Sequence, residues 1–174
     1  MDLEQVIASI RNIPDFPKKG VQFKDITTAM KDADVLQFVS DELYDYYKDK
    51  GITKVVGLES RGFVLGSILA YKLHAGFILI RKAGKLPAAT YKVEYELEYG
   101  TDSLEIHQDA MNENDIVLLH DDLLATGGSS SAALELIKKF HPKAIYVSFL
   151  IELKDLNGRE KLKGVNDIHS LIQF

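Results

Sequence analysis

The chain has 174 residues, 46% hydrophobic and 27% charged, with no cysteine and a formal net charge of -5. That length supports one domain with a full core, and the composition excludes disordered, collagen-like and disulfide-scaffold classes as well as thiolate metal sites. The acidic balance argues against a general nucleic-acid footprint, and no apolar run approaches the roughly 18 residues of a membrane span. Met1 is followed by Asp2, Leu3 and Glu4, unlike the basic-then-apolar start of a secretory leader, so a soluble cytoplasmic protein is expected.

In chain order, Leu3, Val6, Ile7 and Ile10 recur at helical spacing, with Asp2 and Gln5 placed as a capping pair. Pro14 and Pro17 end that pattern, and Gly20 to Thr28 reads as an ordered loop or short strand. Asp34 is expected to cap a second helix with Leu36, Val39, Leu43 and Tyr46 on one stripe, ending before Gly51. Lys54 to Leu58 and Gly76 to Ile80 read as buried strands around a helix from Gly62 to Leu73. Asp115 to Leu119 is a third strand, Thr126 to Phe140 a helix with Ala133, Leu136, Ile137 and Phe140 inward, and Ala144 to Ile151 a fourth strand.

Apolar strands without alternation, separated by helices, predict an α/β fold: a mostly parallel sheet covered on both faces. Such sheets bind ligands at the carboxyl ends of their strands, which directs attention to the segments after Leu58, Ile80 and Leu119. Between Lys85 and Ile106 the period changes to two. Val93, Tyr95, Leu97 and Tyr99 alternate with Lys92, Glu94, Glu96 and Glu98, which predicts a hairpin that buries little and folds over the crevice.

The segment from Asp121 to Ser129 (DDLLATGGS) is the most informative. Two carboxylates close a buried strand, and two glycines and hydroxyl residues open a helix. Glycines admit a ligand close to the backbone, and free N–H groups at a helix start favour phosphate. Carboxylates beside such a nest are repulsive unless they meet sugar hydroxyls or a cationic centre. A ribose 5-phosphate satisfies both halves. The segment is neither a Walker loop nor a dinucleotide fingerprint. Arg81, Lys82 and Lys85 around Gly84, and Arg61 after Glu59-Ser60, are basic groups near the same crevice. From the pattern alone Glu98 is not distinguished from Glu94 or Glu96.

The segment from Asp121 to Ser129 resembles the phosphoribosyl-diphosphate signature of the type I phosphoribosyltransferases. The stretches 56–63 (VGLESRGF), 81–87 (RKAGKLP) and 97–100 (LEYG) are similar to the adenine phosphoribosyltransferases in particular. So are Asp15-Phe16-Pro17, Gly20, Phe23 to Ile26 and Gly158 to Leu162, so that the resemblance covers nearly the whole chain in order.

The resemblance implies one domain over residues 1–174, with 1–33 contributing to a hood and 85–106 forming a flexible catalytic loop. It implies a purine-salvage reaction: adenine and 5-phosphoribosyl 1-diphosphate give AMP and diphosphate through an oxocarbenium-like transition state. Asp121 and Asp122 would hold the ribose hydroxyls, Ala125, Thr126, Gly127, Gly128 and Ser129 would cradle the 5-phosphate, and Leu123 would be among the substrate-binding residues. Arg81, Lys82 and Lys85 would meet diphosphate, and Arg61 the adenine or diphosphate region, with a non-prolyl cis bond near Ser60-Arg61. Phe23 would stack on the purine, with Gln22 and Lys24 beside it, although relatives often carry an apolar residue and an arginine at those two positions. Glu98 would handle the purine proton, and Tyr99 would pack beside the sugar phosphate. His120 stands where relatives carry an aliphatic residue and reads as a buried neutral histidine. Mg2+ would ride on the diphosphate oxygens, without a dedicated cluster of ligands, and the assembly would be a homodimer with no nucleic-acid or membrane partner. A phosphoribosyltransferase for a 6-oxopurine or xanthine, and a catalytically silent sensor of phosphoribosyl diphosphate, are the competing readings.

Overall fold

The computed structural model describes residues 1–97 and 100–174. Helix α1 (Leu3–Ser9) starts at Asp2, whose side chain accepts from the Gln5 N–H while the Gln5 side chain accepts from the Asp2 N–H. A small antiparallel ribbon follows, β1 (Arg11–Pro14) with β2 (Gln22–Asp25), and a short helix α2 (Thr27–Met30). Arg11 donates to Asp25, and this bond, with those from Thr27, holds the Asp25 carboxyl down to about 2.

Helix α3 (Ala33–Tyr47) is capped by Asp32 rather than Asp34: the Asp32 carboxylate accepts from the N–H groups of Asp34 and Val35. The buried stripe is Val35, Val39, Leu43 and Tyr47, which face the core shared with α4, and Tyr46 is left 39% exposed. Strand β3 (Lys54–Leu58), helix α4 (Gly62–Lys72), β4 (Gly76–Lys82), β5 (Thr90–Glu96) and β6 (Thr101–His107) come next. They are followed by β7 (Ile116–Leu124), α5 (Gly128–Lys138), β8 (Ala144–Glu152) and β9 (Asp167–Gln173).

Among the described residues the main sheet has seven strands in the order β5-β6-β4-β3-β7-β8-β9. Strands β4, β3, β7, β8 and β9 are parallel, while β6 pairs antiparallel with both β4 and β5. The central strands are apolar at successive positions because both sides of the sheet are covered. Val56, Val117, Leu119, Val147 and Phe149 pack on the side of α5, with Ala133, Leu136 and Ile137. Val55 and Leu118 face the opposite core, with Val39 and Leu43 of α3 and Leu65 and Leu69 of α4. Each such fully buried Leu or Val contributes about 1.5 to 3 kcal/mol relative to exposure.

Three features differ from the sequence reading. Strand β7 continues past Leu119 to Leu124, because β8 runs alongside and pairs with it as far as Glu152. The acid pair therefore sits within the last turn-ward part of a strand. The β5–β6 hairpin is an extension of the sheet: Arg81 and Lys82 pair with Glu105 and Leu104, and Val93, Leu104 and Ile106 are buried in the main core. Finally, β1 and β9 carry mixed apolar and polar residues with no clear period, and they form because a partner strand is adjacent.

Candidate active site

Three close approaches bring the functional segments together. A Cβ on Gly62 would lie 2.7 Å from the His120 carbonyl oxygen, so only a glycine lets the start of α4 sit against the end of β7. That contact puts Arg61 beside Asp122, 61 positions later, and Arg61 Nε donates to Asp122 Oδ2 at 2.6 Å. The guanidinium also lies 5.5 Å from the Phe23 ring centroid, within cation–π range, and Phe16 packs edge-on against Phe23 at 5.1 Å. Arg61 thus links the amino-terminal ribbon to the acid pair.

Burial and the neighbouring Asp122 charge push the Asp121 carboxyl well above the usual carboxylate range. Asp121 and Asp122 are 8% and 4% exposed, and Asp121 Oδ1 accepts from the Asp122 N–H. Arg61 meets the pair at Asp122. Below them, burial lowers the His120 imidazole to about 4, so it is neutral, with Nδ1 3.1 Å from the Ser148 hydroxyl.

The basic groups are gathered by Glu59. This carboxylate, 9% exposed as a side chain, accepts from Arg81 Nε at 3.3 Å, from the Lys82 N–H at 2.7 Å and from Lys85 Nζ. Burial alone would raise the Glu59 carboxyl, but these bonds outweigh it and hold it below its ordinary value. Lys82 Nζ pairs with Asp102 and reaches the Tyr95 hydroxyl at 3.4 Å.

Two adjoining cavities result. One, of about 430 Å³, has Glu59, Ser60, Arg61, Lys82, Lys85, Asp121 and Asp122 in its lining. The other, of about 310 Å³, is bordered by Ala125, Thr126, Gly127, Gly128, Ser129 and Ser130, and both are bounded by Tyr95, Leu123 and Ser129. Gly127 adopts the left-handed conformation (φ 80°) just before α5, whose opening N–H groups have no intrahelical acceptor. A larger concavity of about 640 Å³ lies elsewhere, between α1 and α3, and is lined by Asp32, Asp34 and Asp41 among others. It has none of the basic or glycine-rich segments.

This constellation agrees with the comparisons with known proteins. Residues 22–169 match the family model of the phosphoribosyl transferase domain. An adenine phosphoribosyltransferase of Bacteroides fragilis is 60% identical over 168 residues, covering 97% of this chain and 94% of that protein. The chain belongs to the adenine phosphoribosyltransferase family. The crystal structure of the adenine phosphoribosyltransferase from Thermoanaerobacter pseudethanolicus superposes with a TM-score of 0.93 at 48% identity, covering 99% of this chain and 100% of that one. The APRTase of Giardia lamblia, complexed with 9-deazaadenine, superposes with a TM-score of 0.94 at 42% identity, covering 100% and 98%. The mostly parallel sheet with flanking helices is the fold of this family.

The crevice brings together most of the residues singled out from the sequence: Arg61, Lys82, Lys85, Asp121, Asp122 and Leu123 in one cavity, and Ala125 to Ser129 in or beside the other. Arg81 joins them through Glu59. Two neighbours of Phe23 are engaged elsewhere. The Gln22 side chain accepts from Asn12 Nδ2 at 2.6 Å, and Lys24 Nζ lies over the Phe174 ring at 4.3 Å. Glu98 and Tyr99 lie outside the described residues. The non-prolyl cis bond is Glu59–Ser60, one bond before the expected place. Sequence reasoning did not single out Glu59, Tyr95 or Asp102 as site residues. The signal for Glu59 was its place directly after a buried strand.

Proposed function

We propose that the chain transfers the 5-phosphoribosyl group from 5-phosphoribosyl 1-diphosphate to adenine, giving AMP and diphosphate, in purine salvage. The observation that carries this is the contiguity of the two cavities: an acid pair between a glycine-hydroxyl loop and a cluster of cations. A ribose spanning them places its 5-phosphate on Ala125 to Ser129, its hydroxyls on Asp121 and Asp122, and its diphosphate toward Lys82, Lys85 and Arg81. Choice of adenine as the base is supported by the names of relatives at up to 60% identity and by the 9-deazaadenine held by the Giardia protein.

In this reading the C1–oxygen bond breaks with its electron pair leaving on diphosphate, and a purine ring nitrogen bonds to C1. Positive charge grows on the ribose, and the carboxylate of Asp122 stabilises it more in the transition state than in the ground state. Phe23, backed by Arg61, offers a ring face to the base, and Glu98 takes the proton that the purine nitrogen loses. Lys82 and Lys85 turn from their carboxylates to the leaving diphosphate.

Mg2+ belongs to this reading. Among the described residues no three His, Cys, Asp or Glu side chains group to hold a metal ion, and the two crevice acids Asp121 and Asp122 suit an ion carried mainly on substrate oxygens. When bound, it neutralises charge on the diphosphate. The assay that tests the function is AMP formation from each free base with phosphoribosyl diphosphate. Adenine with Mg2+ is expected to react, chelation to abolish the reaction, and hypoxanthine, guanine or xanthine to be poor substrates. A preference for a 6-oxopurine, or no turnover with any base, overturns it.

The same reading takes residues 1–33 as the hood over the base and 85–106 as the loop covering the ribose. Hydrogen exchange across 85–106 is expected to slow when both substrate sites are filled, and unchanged exchange counts against it. A homodimer is supported by the outward face of α4, where Val64 is 43% and Tyr71 87% exposed on a helix apolar nearly all round. Sedimentation is expected to give twice the chain mass, and a fully active monomer removes the claim. Among the described residues no helix is long and apolar enough to cross a membrane, and a cytoplasmic location is part of the proposal.

A further inference from the structure

The short 3-10 turn Gly158–Lys161, after β8, is packed against the glycine loop more tightly than side chains allow. A Cβ on Gly158 would stand 2.3 Å from the Ala125 carbonyl oxygen, and one on Gly127 would stand 2.5 Å from the Gly158 carbonyl oxygen. Backbone thus meets backbone, and the position of Gly158 fixes how far the loop can recede from the cavity. Among the described residues Gly158 itself takes part in no strand pairing; it follows Asn157, which is left-handed at φ 52°.

The next side chain supplies the anchor. Arg159 donates from Nε to Glu152 Oε1 and from Nη2 to Glu152 Oε2, both at 2.7 Å. It also donates from Nη1 to the Ile168 carbonyl at 2.8 Å and from Nη2 to the Ser170 hydroxyl at 3.3 Å. Glu152, 4% exposed, ends β8 opposite Leu124, the last residue of β7 before the loop. The guanidinium therefore locks the turn to β8 and β9 at the point where β7 passes into the loop. A planar fork with two parallel bonds fixes direction as well as distance, which a lysine does not reproduce.

We propose that the Arg159–Glu152 pair is a positioning device for the 5-phosphate loop, with Gly158 as the rigid backing that holds Ala125 to Gly127 at the right depth for the phosphate. Arg159 acts through the loop and touches no substrate. The inference rests on the reading that residues 125–129 hold the 5-phosphate. Misplacing such a loop by a fraction of an ångström weakens binding of the phosphate while leaving the diphosphate end of the crevice intact.

The test compares Arg159→Lys, Glu152→Gln and Thr126→Ala with the unaltered protein by calorimetric binding of AMP, and of inorganic diphosphate with Mg2+, alongside Tm. Arg159→Lys and Glu152→Gln are expected to weaken AMP about tenfold and to leave diphosphate within about twofold. In turnover, KM for phosphoribosyl diphosphate rises by a similar factor while kcat at saturation changes less. AMP and diphosphate weakening together would mean general loosening, and unchanged AMP affinity in both variants would mean that the pair does not set the loop; either result overturns the inference. Thr126→Ala separates the premise from the inference. If it weakens AMP while Arg159→Lys and Glu152→Gln do not, the loop assignment stands and the positioning role fails. If none of the three weakens AMP, the loop assignment itself fails.

Discussion

Asp122→Asn is expected to lower kcat by about 10²- to 10³-fold at saturating adenine and phosphoribosyl diphosphate, the range seen when one preorganised electrostatic group facing the developing charge is lost. Asp122 is 4% exposed, lines the crevice and meets Arg61 Nε at 2.6 Å. An amide keeps the size and a hydrogen bond, but it brings no negative charge to a ribose becoming cationic. Some compensation comes from Asp121. Its carboxyl is raised by burial and by the Asp122 charge, so removing that charge lets Asp121 ionise more readily. Asp121→Asn combined with Asp122→Asn is therefore expected to lose more than the product of the single effects. The fold should survive, because the pair stands at a strand end facing a cavity. Steady-state kinetics checks this, and a kcat near that of the unaltered protein would remove Asp122 from the proposed machinery.

Gly127→Ala is expected to lower stability by about 3 kcal/mol and Tm by roughly 6 to 12 °C. It should also raise KM for phosphoribosyl diphosphate by about 10²-fold. Two causes add. At φ 80° a side chain costs about 1 to 2 kcal/mol, and the new Cβ would lie 2.5 Å from the Gly158 carbonyl oxygen, so backbone must move. The adjacent Gly128 provides the control. It has no left-handed φ and nothing within 4 Å of where its Cβ would be, so Gly128→Ala should leave Tm nearly unchanged. Thermal unfolding of the two variants side by side tests the account, and equal losses would contradict it.

Much of the fold was legible because burial is written locally. Val117, Leu118 and Leu119 are apolar in succession since the sheet has a core on each side, and no neighbouring segment is needed to see it. The Asp2–Gln5 capping pair is local in the same sense. Where two local solutions compete, the residues alone do not decide: both Asp32 and Asp34 can cap, and the structure uses Asp32. Strand ends are hard to read from the sequence for a related reason. Leu123 and Leu124 belong to β7 because β8 pairs with them through Ile151 and Glu152, and pairing across 28 positions leaves no mark in the residues of β7 alone.

The site divides along the same line. The residue types of the segment from Asp121 to Ser129, two acids, two glycines and flanking hydroxyls, pointed by themselves to a sugar phosphate. The basic cluster at 81–85 pointed in the same way to an anion. What only the tertiary structure decided was who meets whom. Arg61 reaches Asp122 and Phe23, Glu59 collects Arg81, Lys82 and Lys85, Lys24 turns to Phe174, and Gly158 backs Gly127. Glu59, Arg61, Arg81, Lys82 and Asp122 lie on or just after strands placed side by side by the order β4-β3-β7, while Phe23, Lys24, Phe174 and Gly158 come from segments outside that order, so their contacts are set by sheet topology and close backbone approach. A residue's own chemistry is carried in its name, whereas the charge or backbone it will face depends on chain segments tens of residues away.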